Sequence, residues 1–190
     1  MRFPALFGLL AATATLTACK PPAEAPETTD PFAGIPNVQF LYYDVSGDST
    51  AEIRRAINAG RGDTRHYDAS TTWHFKWRWA VDRNSGTCDL ASTKLTYNAE
   101  VRLPRLADPE RLASSLRAQW ARYYAALRRH EAGHASYPYA HRGEILAAIQ
   151  GSDCAHASEA AKAVLARFTA HDIAYDAETR HGATQGATFP

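Results

Sequence analysis

The sequence has no surplus of charge of either sign. Across 190 residues, 21 Lys and Arg stand against 20 Asp and Glu, a formal net charge of +1, so there is no electrostatic case for nucleic acid or for a strongly acidic substrate. A long hydrophobic run is also missing: the apolar stretch Phe3 to Ala18 is too short and too rich in small residues to span a bilayer. Cysteine is scarce, with three residues and no C-x-x-C pair, which argues against thiolate zinc chemistry. What remains, 45% hydrophobic and 22% charged, is the composition of one globular domain with extensions.

The amino terminus reads as an export signal. Met1 and Arg2 make a short positive start, and the apolar run ends in Leu16-Thr17-Ala18-Cys19. That ending resembles a bacterial lipobox, in which residues 1–18 are removed and Cys19 becomes the lipidated first residue of the mature chain. Acyl chains there would anchor the protein to a membrane surface without spanning it. Lys20 follows, as in lipoproteins sorted to the outer membrane and facing the periplasm. Setting Cys19 aside leaves Cys88 and Cys154, an even pair in an exported protein, and a disulfide between them is expected. Residues 19–36 are rich in Pro, Ala, Glu and Thr and read as a flexible tether.

The globular domain is expected over residues 37–182. VQFLYYDVSG has the β-branched and aromatic content of a strand. Ser49 or Thr50 would cap a first helix whose apolar face is Ile53, Ala56 and Ile57, stopped by Gly60. Trp73, Phe75, Trp77 and Trp79 then alternate with His74, Lys76 and Arg78, a strand whose aromatic side reads as a core face in preference to a sugar- or peptide-binding strip. A second alternating run carries Thr93, Leu95, Tyr97, Ala99, Val101 and Leu103 on one face and ends at Pro104. A last helix is expected from about Cys154 to Arg180, followed by a loose Gly- and Thr-rich tail over 183–190.

Between these lies RRHEAGHASYPY, with His130, Glu131 and His134 in the spacing H-E-x-x-H. On a helix this puts two imidazoles one turn apart on one face, where one metal ion can take both, with Glu131 as general base on water. Chance would produce the pattern about 0.02 times in a chain of this length and composition. Asp108-Pro109-Glu110 marks a helix start. From there Leu112, Leu116, Trp120, Tyr123 and Leu127 step by four, four, three and four, and His130 and His134 are the next members of the series. The histidines therefore belong to a buried stripe. Gly133, costly in a helix interior, implies a close approach to the backbone, and Pro138 implies a bend just past the second histidine.

A catalytic zinc takes three protein ligands, so one more is required. The metzincin continuation is absent, because Tyr137 occupies its Gly place and His141 arrives one residue late. Glu144 and Glu159 are possible ligands by type. HDIAYDAETRHG offers a denser cluster, in which His181 is the first choice, since Gly182 would let it project, and Asp176 the alternative. Tyr137 or Tyr175 would be the oxyanion stabiliser.

The opening YYDVSG, Thr71-x-Trp73, the strand ending in Leu103-Pro104, HExxH at 130–134, flanking Cys residues and the closing Tyr175-Asp176, Thr179, His181 and Gly182 together resemble the bacterial predicted secreted zinc-dependent proteases catalogued as domain of unknown function 922. The resemblance implies a zincin-like α+β domain with one Zn2+ ion. Its expected fold is a small antiparallel sheet of about three strands packed on a long HExxH helix and a C-terminal helix. The implied activity is hydrolysis of peptide bonds in protein or peptide substrates at the cell envelope. The alternatives are a non-catalytic zincin-fold lipoprotein, with a structural or partner-binding metal, and a cell-wall amidase.

Overall fold

The computed structural model describes residues 30–62 and 67–190. Cys19, the export signal 1–18 and the first part of the tether lie outside the described residues. The elements are β1 (Val38–Val45), α1 (Thr50–Gly60), β2 (Ser70–Val81), β3 (Cys88–Leu106), α2 (Ser114–Ala140), α3 (Arg142–Gln150) and α4 (Ala157–Thr179). Single 3-10 turns occupy Pro109–Arg111 and Ala183–Gln185. This is a mixed α+β fold, with a three-stranded sheet covered by the long helix α2 and the last helix α4. Among the described residues, no helix is long and apolar enough to cross a membrane.

The sheet order is β1-β3-β2. β2 and β3 form the expected antiparallel hairpin, with Phe75 opposite Tyr97 and one register shift between Arg78 and Ala80. β1, expected to make the sheet wholly antiparallel, instead pairs parallel to β3, with Val38 opposite Ala99. The connection through α1, β2 and back along β3 returns the chain in the same direction as β1, and a short apolar strand carries no mark of that direction in its own residues. The period-two alternation of β3 buries Thr93, Tyr97, Ala99, Val101 and Leu103. Phe75 is buried on the same side of the sheet, and Trp73, Trp77 and Trp79 pack against the core rather than forming an open strip. Ser49 caps α1 by accepting from the Glu52 amide at 3.3 Å.

Every member of the α2 stripe from Leu112 to His134 is buried. Asp108-Pro109-Glu110 starts only a 3-10 turn, and the α-helix proper begins at Ser114. Pro138 does not break α2 on the spot. It sits inside the helix, fully buried, while the Tyr97 hydroxyl donates to the Ala135 carbonyl at 2.7 Å, next to the His134 carbonyl that the proline deprives of its helical donor. The break comes at His141, whose ring Nδ1 lies 2.8 Å from the Tyr137 carbonyl.

Two segments read as loose are folded. Phe32, within the expected tether, is 5% exposed and meets Phe40 edge to face, with the Arg128 guanidinium over both rings and on the Asp30 carboxylate at 2.6 Å. Phe189, within the expected loose tail, is 2% exposed against Trp120 and Tyr123. Each side chain removes a large apolar area from water, which offsets the ordering of its flexible neighbours. Cys88 and Cys154 form the expected disulfide, with Cα atoms 5.8 Å apart, tying the start of β3 to the turn before α4.

Candidate metal centre

His130 and His134 stand one turn apart on the buried face of α2, and their Nε2 atoms are 3.4 Å from each other. Opposite them, α4 projects Asp176. Its Oδ1 lies 3.3 Å from His130 Nε2 and 3.2 Å from His134 Nε2. The three donor atoms all fall within 4.8 Å of one another, a grouping that could hold a metal ion.

The far side of each imidazole is occupied by an acceptor. His134 Nδ1 lies 3.2 Å from Asp172 Oδ1, and the other oxygen of Asp172 accepts from the Trp73 indole at 2.7 Å. His130 Nδ1 lies 3.0 Å from Gln185 Oε1. An acceptor at Nδ1 keeps the proton there and leaves the Nε2 lone pair free. Both lone pairs face the Asp176 oxygen, so two neutral nitrogens and one carboxylate oxygen converge, which is the donor chemistry that zinc takes. The cluster therefore fits a divalent cation.

The electrostatics follow from burial. His130 is pushed toward the neutral form by desolvation and by its neighbour His134. Burial also opposes a proton on His134, but the Asp172 hydrogen bond and the charges of Glu131 and Asp176 outweigh it and raise its pKa. Glu131, 4% exposed, is raised to about 7 by desolvation, against the Thr71 hydroxyl, which lies 2.7 Å from its Oε2.

Of the expected third ligands, the structure brings Asp176 to the histidines and not His181. α4 ends at Thr179, and Arg180, His181 and Gly182 then all take positive φ. This reversal turns the His181 ring onto Tyr67, with centroids 4.3 Å apart, and leaves its Nδ1 3.4 Å from the outer oxygen of Asp176. Gly182 does not free a ligand to project. It lets the chain pass against His130, since a Cβ there would come within 2.9 Å of the imidazole. Glu144 pairs with Arg167 and Glu159 with Lys162, both on the surface.

Neither tyrosine faces the cavity over the cluster. Tyr175 stacks on His130 at 5.1 Å with its hydroxyl toward Gln185, and Tyr137 stacks on His171 at 3.3 Å. A cavity of about 390 Å³ opens over the cluster, and neither tyrosine lines it. Thr71, Asp172 and Gln185 are site residues that pattern reading left without a role. For Thr71 the available signal was its place at the start of the strand whose aromatic face packs on the HExxH helix.

A family model described as a bacterial protein of unknown function (DUF922) matches residues 40–182. No curated protein and no solved structure matches the chain.

Proposed function

The chain belongs to the DUF922 family, and from that premise and the site we propose that it is a zinc-dependent peptidase of the bacterial cell envelope. The observation that carries this reading is the convergence of His130, His134 and Asp176 beside the buried carboxyl of Glu131. When bound, zinc supplies a Lewis acid that polarises a carbonyl and acidifies water. Glu131 takes the proton of the attacking water as its oxygen bonds to the carbonyl carbon, and returns a proton to the departing amine as the C–N bond breaks. Burial raises the Glu131 carboxyl in the metal-free chain, and the charge of a bound cation would favour its ionised, proton-accepting form. Thr71 holds Glu131 Oε2, while Asp172 and Gln185 hold the imidazoles.

The surroundings favour an extended peptide. Ser70 and Thr71 line the cavity, and they begin β2, which among the described residues pairs with a strand on one side only. A peptide added along the free edge would run past the cluster with its backbone groups satisfied. The amidase alternative loses its particular support, because the tryptophans of β2 pack against the core. The lipobox-like segment ending at Cys19 and the Cys88–Cys154 disulfide support an anchored protein in an oxidising compartment, and Lys20 favours the outer membrane.

The test is metal content and peptidase activity of the purified protein, wild type against Glu131→Gln. One zinc per chain in both, with hydrolysis lost only in the variant, is the expected result. A Glu131→Gln protein as active as wild type would remove the proposed base, and zinc retained with no hydrolysis of any peptide would favour the non-catalytic lipoprotein.

A further inference from the structure

The geometry points to Gln185 as a positioning residue for His130, held in place by a hook formed by residues 180–189. This rests on the reading that His130, His134 and Asp176 hold a metal. Gln185 and the anchor of its hook lie past residue 182, where the family match ends.

The hook is built by consecutive backbone devices. Arg180 and His181 adopt φ of 50° and 52°, a left-handed conformation that non-glycine residues rarely take, and Gly182 follows at 77°. The Thr179 hydroxyl accepts from the Gly182 amide at 3.1 Å, and the Gly182 carbonyl accepts from the Gln185 and Ala187 amides at 2.9 and 3.0 Å. Phe189 then plugs between Trp120 and Tyr123, with centroids 5.7 and 5.2 Å away. Two left-handed non-glycine residues are thus bracketed by the end of α4 on one side and a buried aromatic anchor on the other.

What the hook carries to the site is one amide. Gln185 Nε2 donates to the Tyr175 hydroxyl at 3.1 Å, which turns Oε1 toward His130 Nδ1 at 3.0 Å. An amide oxygen only accepts, so His130 must hold its proton on Nδ1. Gly182 and Tyr175 pack on the same imidazole, so the ring is fixed in rotation as well as in tautomer. Asp172 does the same for His134, with Trp73 behind it. The two ligands of α2 are therefore oriented from two different directions, one by α4 and β2 and the other by the hook.

The test compares wild type, Gln185→Leu, Gln185→Glu and Phe189→Ala. Zinc affinity is measured by chelator competition, and the His130 tautomer by nitrogen NMR on the metal-free protein. Gln185 is exposed, so Gln185→Leu should keep the melting temperature of the metal-free form. Its zinc affinity should fall roughly 10- to 100-fold, the usual cost of removing an orienting partner. Gln185→Glu restores an acceptor and should restore the affinity, and Phe189→Ala should lose affinity in the same direction as Gln185→Leu. An unchanged affinity and an unchanged Nδ1–H tautomer in Gln185→Leu would overturn the inference. A wild type that binds no zinc would instead overturn the metal-site reading, and the tautomer measurement would still decide the role of Gln185.

Discussion

Tyr175 leans on Gly133 so closely that a Cβ at position 133 would stand 2.5 Å from the phenol oxygen and 2.7 Å from Cζ. The glycine gives up about 1 kcal/mol of helix propensity and lets the ring lie flat on His130 and edge-on to His134. Gly133→Ala should therefore fail to gain that propensity and should push Tyr175 off the imidazoles. We expect about a tenfold loss of zinc affinity with the fold retained. In the Gly133→Ala/Tyr175→Leu pair, the two stability effects should be non-additive, which thermal melting of all four proteins would show.

Glu131 makes the metal-free protein pH-sensitive in a defined direction. Its folded pKa, about 7, lies above the ordinary value of 4.5. Between those values the folded state binds more protons than the unfolded one, so stability is highest below about 4.5 and is lost as the pH rises through 7. The difference corresponds to about 3 kcal/mol at full ionisation. Glu131→Gln keeps an acceptor for Thr71 and cannot ionise. Denaturant titrations of the metal-free proteins should show the variant more stable than wild type at pH 8, with the gap closing at pH 5.

Asp68 gathers the wall of the cavity. Arg54 donates to it at 3.0 Å, the Tyr123 hydroxyl donates at 3.0 Å, and its own carbonyl accepts from the Tyr43 hydroxyl at 2.6 Å. Asp68 is buried, whereas Arg54 retains 25% side-chain exposure and keeps part of its solvation. Removing one partner of a buried pair costs 3–5 kcal/mol, and screening at Arg54 lowers that to about 2–3 kcal/mol for Asp68→Ala. The midpoint of denaturant unfolding measures it, and Asp68→Asn should cost less because it leaves an oxygen for Tyr123.

Reduction of the Cys88–Cys154 bridge should destabilise the domain without touching the metal cluster. The bridge closes a separation of 66 residues, for which the chain-entropy model gives about 4 kcal/mol. Unfolding with and without reductant should show that loss, while the zinc stoichiometry of the folded, reduced protein stays the same.

Much of the site was legible because its key histidines extend an apolar series. A stripe running Leu116, Trp120, Tyr123, Leu127 can bury His130 and His134 only if they turn inward, and they do. The disulfide was legible by subtraction, and the hairpin by its period of two. The choice between Asp176 and His181 was not. Both are good ligands by type, and what separates them is where α4 stops and that Arg180 and His181 turn left-handed, a conformation those residues seldom adopt.

Phe32 and Phe189 escaped notice for a related reason. Each is a large aromatic residue in a stretch dominated by Pro, Gly, Ala and Thr, and composition averaged over such a stretch reads as unstructured. A lone aromatic ring can anchor its segment if the rest of the fold provides a socket. Here the sockets are Phe40 with Arg128, and Trp120 with Tyr123, and apart from Phe40 these residues are distant in sequence from the rings they receive.

The parallel pairing of β1 with β3 governs when this protein becomes a protein. Val38 meets Ala99 and Val45 meets Leu106, so the first strand made has no partner until the third is complete, and α2, which carries the histidines, is made later still. Thr71, His130, Asp176 and Gln185 come together only after the whole succession has closed. Chains dominated by such distant pairings fold in about milliseconds to seconds rather than microseconds. In refolding from denaturant, protection of the β3 amides and uptake of zinc should rise on a common slow timescale, with no fast-forming fragment able to hold the ion alone.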